Sequence, residues 1–191
     1  MKIQANGRGL IAMKRVLIPL AEGFEEIEAL TAADVLRRAG LEVVLAGLAG
    51  TIVKGRSNVK VIADRKIEDV KDDDFDAIVL PGGNPGYINL GKSKNVSDMI
   101  RKFDGNKKLI AAICAAPSIL AKMGILNEKR ATIYPGMERD IPRPRSGKVV
   151  VDGHIITSEG PGTSIEFALE IIKNLLGKAK AEKVRNELVY R

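Results

Sequence analysis

The chain has 191 residues, with 31 basic and 24 acidic side chains, one cysteine, one histidine and no tryptophan. That length can bury a substantial apolar core without disulfides or metals, and one Cys with one His excludes both an internal disulfide and a four-ligand zinc spacing. The net charge of +7 is interspersed rather than clustered and comes with only three Tyr and four Phe, which argues against nucleic acid as a partner.

Residues 1–12, MKIQANGRGLIA, precede a second methionine, Met13, and read as an extension, leaving 13–191 as a single domain. No apolar stretch is long enough to span a membrane and the N-terminus lacks a signal-peptide core, so a soluble cytoplasmic protein with no membrane partner is expected. RVLIPL (15–20) reads as a buried strand, and EEIEALTAADVLRRAG as a helix closed by Gly40. EVVLAGL (42–48) is a second strand, and TIVKGRSNVKVIAD (51–64) is a hairpin interrupting the alternation. DAIVLPGG (76–83), the helical NVSDMIRKFDGN, KLIAAIC (108–114) and the helical APSILAKMG resume it. A second hairpin, KVVVDGHIITSEG (148–160), turns at Asp152-Gly153, and GTSIEFALEIIKNLLG is a closing helix. Alternation of this kind predicts a mostly parallel sheet with helices on both faces.

In such a sheet, function collects beyond the carboxyl ends of the strands. Three ends carry unusual chemistry: AEGFEEIEAL after the first strand, PGGNPGY after the third, and Cys114 where the fourth turns directly into a helix. A strand-to-helix elbow exposes one side chain and aims free helical N–H groups at it, which would hold a thiol below its free pKa and make it a nucleophile. Ala111, Ala112, Ala115 and Ala116 suit a tight corner, and Pro117 suits a first helical turn. The residues alone leave a second reading open, in which Cys114 is a small buried hydrophobe. Of Glu25, Glu26 and Glu28, two are accounted for as partners of the helix dipole, whereas one facing an apolar pocket beside the thiol would be raised in pKa and act as acid and base. The amides of Gly82 and Gly83 supply an anion pocket only if they face the cysteine.

Taken together, LAEGFEEIEAL, RRAGLEVVLAGLAG, AIVLPGGNPGYINL, LIAAICAAPSIL and TSEGPGTSIEFALEII resemble the ThiJ/PfpI superfamily and, within it, the DJ-one branch, in unbroken order from about Lys14 to Leu176. The resemblance implies a flavodoxin-like doubly wound α/β fold, a homo-oligomer of the dimeric kind, and no cofactor or metal. It carries Cys114 over as nucleophile, Glu28 as the carboxylic acid against its sulfur, and Gly83 with Ala115 as the oxyanion pocket, with Gly82 beside them. Tyr134 stands where the branch commonly has a histidine, so chemistry that needs imidazole is in doubt. Ser57 aligns with an arginine that lines the branch's pocket and Arg56 falls one residue earlier, which leaves open which of them faces the site. His154, in the second hairpin, reads as structural or exposed.

The resemblance implies a cysteine-dependent, cofactor-independent glyoxalase or deglycase acting on small 2-oxoaldehydes such as methylglyoxal. An oxidative-stress sensor or redox-regulated chaperone using the same cysteine is the alternative. An intracellular peptidase is the weakest reading, because Ala115 follows Cys114 where the protease-like branch has a histidine.

Overall fold

A computed structural model describes residues 13–191, so the extension assigned to residues 1–12 lies outside the described residues. The chain runs β1 (Arg15–Leu20), α1 (Glu26–Arg38), β2 (Glu42–Gly47), the short β3 (Ile52–Lys54), β4 (Lys60–Ile62) and β5 (Arg65–Lys66), then β6 (Ala77–Leu80). It continues with α2 (Gly86–Lys92), α3 (Lys94–Gly105), β7 (Leu109–Ile113), α4 (Pro117–Lys122), β8 (Val149–Asp152), β9 (Ile155–Ser158), α5 (Ser164–Leu176) and α6 (Lys178–Glu187).

Seven strands form one sheet in the order β5-β2-β1-β6-β7-β9-β8, all parallel except β8, which pairs antiparallel with β9. This is the mostly parallel α/β sheet expected from the alternation, in the flavodoxin-like form that the family resemblance implies. The period of two along each strand sorts side chains into two cores. Val16, Ile18 and Leu20 of β1, with Val79, Ala111 and Ile113, pack under α1 and α5 against Phe167 and Ile171. Leu17, Ile78, Leu80, Ile110 and Ala112 face the other way, against Ile100 and Phe103 of α3 and Leu120 of α4.

Both hairpins form, β3 with β4 as a separate ribbon and β8 with β9 inside the sheet. The strand order reverses between β1 and β6: β2 adds on one side of β1, while β6 and β7 add on the other. The carboxyl ends of β1, β6 and β7 are therefore neighbours at the switch point, where an open sheet leaves a crevice.

Three elements have no counterpart in the sequence reading. The helix α2, GYINLGK, is seven residues long, contains two glycines and has no apolar period, so only its packing marks it. The helix α6 buries only Ala181 and Val184, too few for an amphipathic stripe to show. The strand β5 is two residues long.

Phe167 is fully buried between α5 and the sheet. Phe167→Ala should therefore lower unfolding free energy by about 3–5 kcal/mol in a urea titration, the usual cost of an aromatic-to-alanine cavity.

Candidate active site

Cys114 sits one residue beyond β7 with φ 64°, a left-handed conformation that costs a non-glycine residue about 1–3 kcal/mol. Its neighbours over-determine it. The Cys114 N–H donates to the Ser158 carbonyl at the end of β9 (2.9 Å), and its own carbonyl accepts from the Tyr134 N–H (2.9 Å). The corner therefore persists because both backbone groups are tied to other segments, and the thiol is aimed into the crevice rather than along the strand. Pro117 opens α4 three residues later.

Glu28, on the first turn of α1, is buried and lies against the sulfur. Its Oε2 accepts the Gly82 N–H at 2.7 Å, and its Oε1 is buried with no hydrogen-bond partner. Gly82 allows this convergence. A Cβ there would lie 2.6 Å from Cys114 Cβ and 3.0 Å from both Cys114 Sγ and Glu28 Oε2, so any side chain would push apart the thiol and the carboxyl. Gly83 has φ 86°, and a Cβ on it would stand 2.4 Å from the Glu25 amide.

Burial, opposed by the Gly82 hydrogen bond, pushes the Glu28 carboxyl up to about 7. Burial and then the Glu28 carboxylate push the Cys114 thiol up to about 12, against the amides of Gly83 and Ala115, which hydrogen-bond the sulfur. A thiol held below its free pKa, as the elbow alone suggested, is therefore corrected. The helix-end amides do point at the sulfur, but desolvation and an adjacent acid outweigh them. Near neutrality the sulfur therefore keeps its proton while the Glu28 carboxyl passes between its two forms. Protonating Glu28 removes its repulsion and leaves the two amide donors as the remaining stabilisation of a thiolate.

The expected site residues converge, with one change of part. Gly83, Ala115 and Tyr134 line a cavity of about 470 Å³ whose floor is Cys114. Gly82 does not line it, because its N–H is occupied by Glu28; its place is to position the acid rather than to receive an oxyanion. Glu25 and Glu26 do more than complement the helix dipole. Glu26 Oε1 accepts the Ser57 N–H (2.8 Å) and Glu25 Oε2 accepts from Arg56 Nη1 (3.1 Å), so both buried acids fasten the tip of the β3–β4 hairpin beside the crevice.

The hairpin geometry settles which residue faces the site. Arg56 lines the cavity, whereas Ser57 is turned to Glu26 by its backbone. Asn84, Tyr87, Ile88 and Met137 also line it and were not singled out from sequence. Tyr87 and Ile88 belong to the unforeseen helix α2, and Met137 to an irregular loop, so no periodicity marked them. His154 precedes β9 at the opposite end of the sheet and pairs with Asp104 (2.7 Å). It is the only histidine in the chain, so no imidazole reaches Cys114. Among the described residues no cluster of His, Cys, Asp and Glu has metal-binding geometry, and no helix is long and apolar enough to cross a membrane.

A flavodoxin-like sheet with a cysteine on the corner after a central strand and a buried glutamate beneath it defines a class of α/β proteins with an acid-paired thiol. Within that class, the DJ-1/PfpI family model matches residues 14–174, and the chain belongs to that family. It is 45% identical over 181 residues to Protein dj-1beta of Drosophila melanogaster, covering 92% of this chain and 97% of that protein. It is 36% identical over 183 residues to a Caenorhabditis elegans protein named glutathione-independent glyoxalase DJR-1.2, covering 94% and 98%. The solved structure titled Toxoplasma gondii DJ-1, oxidized superposes with a TM-score of 0.90 at 40% identity, covering 93% of this chain and 98% of that one.

The raised Glu28 pKa makes a signed prediction. The folded state favours the protonated acid, so that contribution to stability is complete below the ordinary carboxylate value and is lost as pH rises through about 7. Glu28→Gln, which cannot ionise, should match the wild type in stability at pH ~3.5, below the ordinary carboxylate value, and exceed it at pH 8 by up to about 3 kcal/mol. The same variant removes the repulsion on the thiol, so the midpoint of Cys114 alkylation by iodoacetamide should move to lower pH.

Proposed function

We propose that the protein is a cysteine-dependent glyoxalase with deglycase-like reach, converting 2-oxoaldehydes such as methylglyoxal to 2-hydroxy acids. The observation carrying this reading is the pair itself. A thiol on a strained corner touches a buried carboxyl with a proton affinity near neutrality, inside an open cavity whose floor also presents two amide donors.

Ionised Glu28 takes the thiol proton as sulfur adds to the aldehyde carbon, and the Gly83 and Ala115 amides steady the alkoxide that forms. Returning that proton to the alkoxide gives a hemithioacetal. Glu28 then removes the hydrogen from the former aldehyde carbon and delivers it to the neighbouring carbon through an enediol, leaving a thioester of the 2-hydroxy acid. Water cleaves the thioester, restoring the thiol and releasing product, so the sum is aldehyde plus water to hydroxy acid. The relative named as a glutathione-independent glyoxalase supports this substrate class. Tyr134, half exposed at the cavity mouth, can donate a hydrogen bond to a substrate oxygen but does not serve as a base near neutral pH.

A second reading, a redox sensor, draws on the same corner: the superposable Toxoplasma gondii DJ-1, solved in a form named oxidized, shares this fold. Under that reading two equivalents of peroxide, each reduced to water, oxidise Cys114 through the sulfenic acid to a sulfinate that protonated Glu28 hydrogen-bonds. A peptidase reading finds no support at the thiol, where the nearest base is a carboxyl. We also infer a homodimer. Ile27 and Leu30 of α1 and the cross-strand pair Ile52 and Ile62, which are 70% and 78% exposed, are apolar side chains in need of a partner.

Purified protein should consume methylglyoxal and yield lactate. Cys114→Ser should abolish turnover and Glu28→Gln reduce it about 10²–10⁴-fold, although the thiol of the latter stays alkylatable. Unchanged turnover in both variants would remove the enzyme reading. A gain of two oxygens on Cys114 after mild peroxide, without aldehyde turnover, would favour the sensor. Sedimentation should give a dimer, shifted toward monomer by Ile27→Asp with Ile62→Asp.

A further inference from the structure

The cavity over Cys114 is far larger than the smallest substrate needs. A molecule the size of methylglyoxal displaces on the order of 100 Å³, the space of roughly three waters at about 30 Å³ each, whereas the cavity holds about 470 Å³. Its walls away from the sulfur are Tyr87, Ile88, Tyr134 and Met137, all with apolar surface. Tyr87 and Ile88 also line a second cavity of about 170 Å³ between α2 and α4, whose apolar lining is completed by Ile119 and Met123. That space exists in part because α2 carries Gly91 where it faces α4. A Cβ there would reach Ile119 at 3.4 Å, and a longer side chain would enter the gap.

The charge lining the second cavity is one-sided. Lys92 and Lys122 line it, neither is ion-paired among the described residues, and no described Asp or Glu lines it. The cation of the first cavity, Arg56, is already paired with Glu25. Lys92 lies four residues, one helical turn or about 6 Å, beyond Ile88 on α2. An extended chain advances about 3.5 Å for every three bonds, so about five bonds cross that turn. Two cavities that meet at Tyr87 and Ile88, the outer one flanked by Lys92 and Lys122 at the C-terminal ends of α2 and α4, complement a chain that is apolar along its length and anionic at its tip.

We propose that the site is built for 2-oxoaldehydes whose carbonyl carries an apolar arm ending in a carboxylate, the arm crossing Tyr87 and Ile88 into the second cavity and the carboxylate meeting Lys92 and Lys122. This rests on the glyoxalase reading for the reactive end, while the arm's subsite can be tested without any turnover.

Two measurements on the full chain separate the two. In the first, calorimetry with decanoate, decan-1-ol and acetate reads the subsite directly. Decanoate should bind at least about tenfold more tightly than acetate or the alcohol and should slow iodoacetamide alkylation of Cys114. Lys92→Glu with Lys122→Glu, and separately Gly91→Leu, should each weaken decanoate binding about tenfold or more. Decanoate binding no tighter than acetate, or binding indifferent to both variants, overturns the subsite. In the second, the ratio of kcat/KM for 9,10-dioxodecanoate over methylglyoxal should exceed about ten and collapse toward one in the charge-reversed variant. A ratio near one in the wild type overturns the proposal. No turnover of either aldehyde, with decanoate binding as stated, refutes the glyoxalase reading and leaves the subsite standing.

Discussion

A carboxyl group buried beneath a thiol is the constraint around which this end of the molecule is arranged. Glu28 gives up hydration on entering the sheet-end crevice and receives one amide, from Gly82, in return. A buried carboxylate with an oxygen left unpartnered is costly, and the cost falls if the group holds a proton or shares one. The sulfur above it is the available neighbour. The absence of a side chain at Gly82, the left-handed backbone at Cys114 and the two backbone tethers on that residue all serve to keep the two groups in contact.

The same economy appears in the first turn of α1. Three acids within four residues are usually credited to the helix dipole, yet here each has a separate structural partner. Glu25 holds Arg56, Glu26 holds the Ser57 amide, and Glu28 holds the Gly82 amide. The first two bind the β3–β4 hairpin to the crevice and place a cation on its wall, and the third closes the floor. Gly55 lets the hairpin tip approach, since a Cβ there would meet Glu26 Oε1 at 2.3 Å. One short acidic stretch therefore joins the sheet end, the ribbon and the thiol into a single site.

What was legible in the sequence follows from what periodicity and turn chemistry encode. The strands β1, β2, β6 and β7 are short Val- and Ile-rich runs buried on both faces, and they were found where expected, as were α1, α3, α5 and both hairpins. The thiol corner was legible because a strand pattern stops at Cys114 and Pro117 follows at once. The helix α2 was not, because glycines at its ends hide a helix held by tertiary contacts, and with it went the cavity wall of Tyr87 and Ile88. The facing of Arg56 over Ser57 depended on a bond between Glu26 and a backbone amide, which no spacing records. The proton affinity of the thiol was misjudged because the amides of the corner are visible in sequence, whereas the depth of its burial is not.

Carbonyl-stretch infrared difference spectroscopy, wild type minus Glu28→Gln, isolates the protonated form of this one carboxyl and follows it across pH. The account predicts a band that is full at pH 5 and disappears with a midpoint near 7. A band already absent at pH 5 would mean that Glu28 ionises like an ordinary surface carboxylate, and the acid that the site needs at neutral pH would not exist.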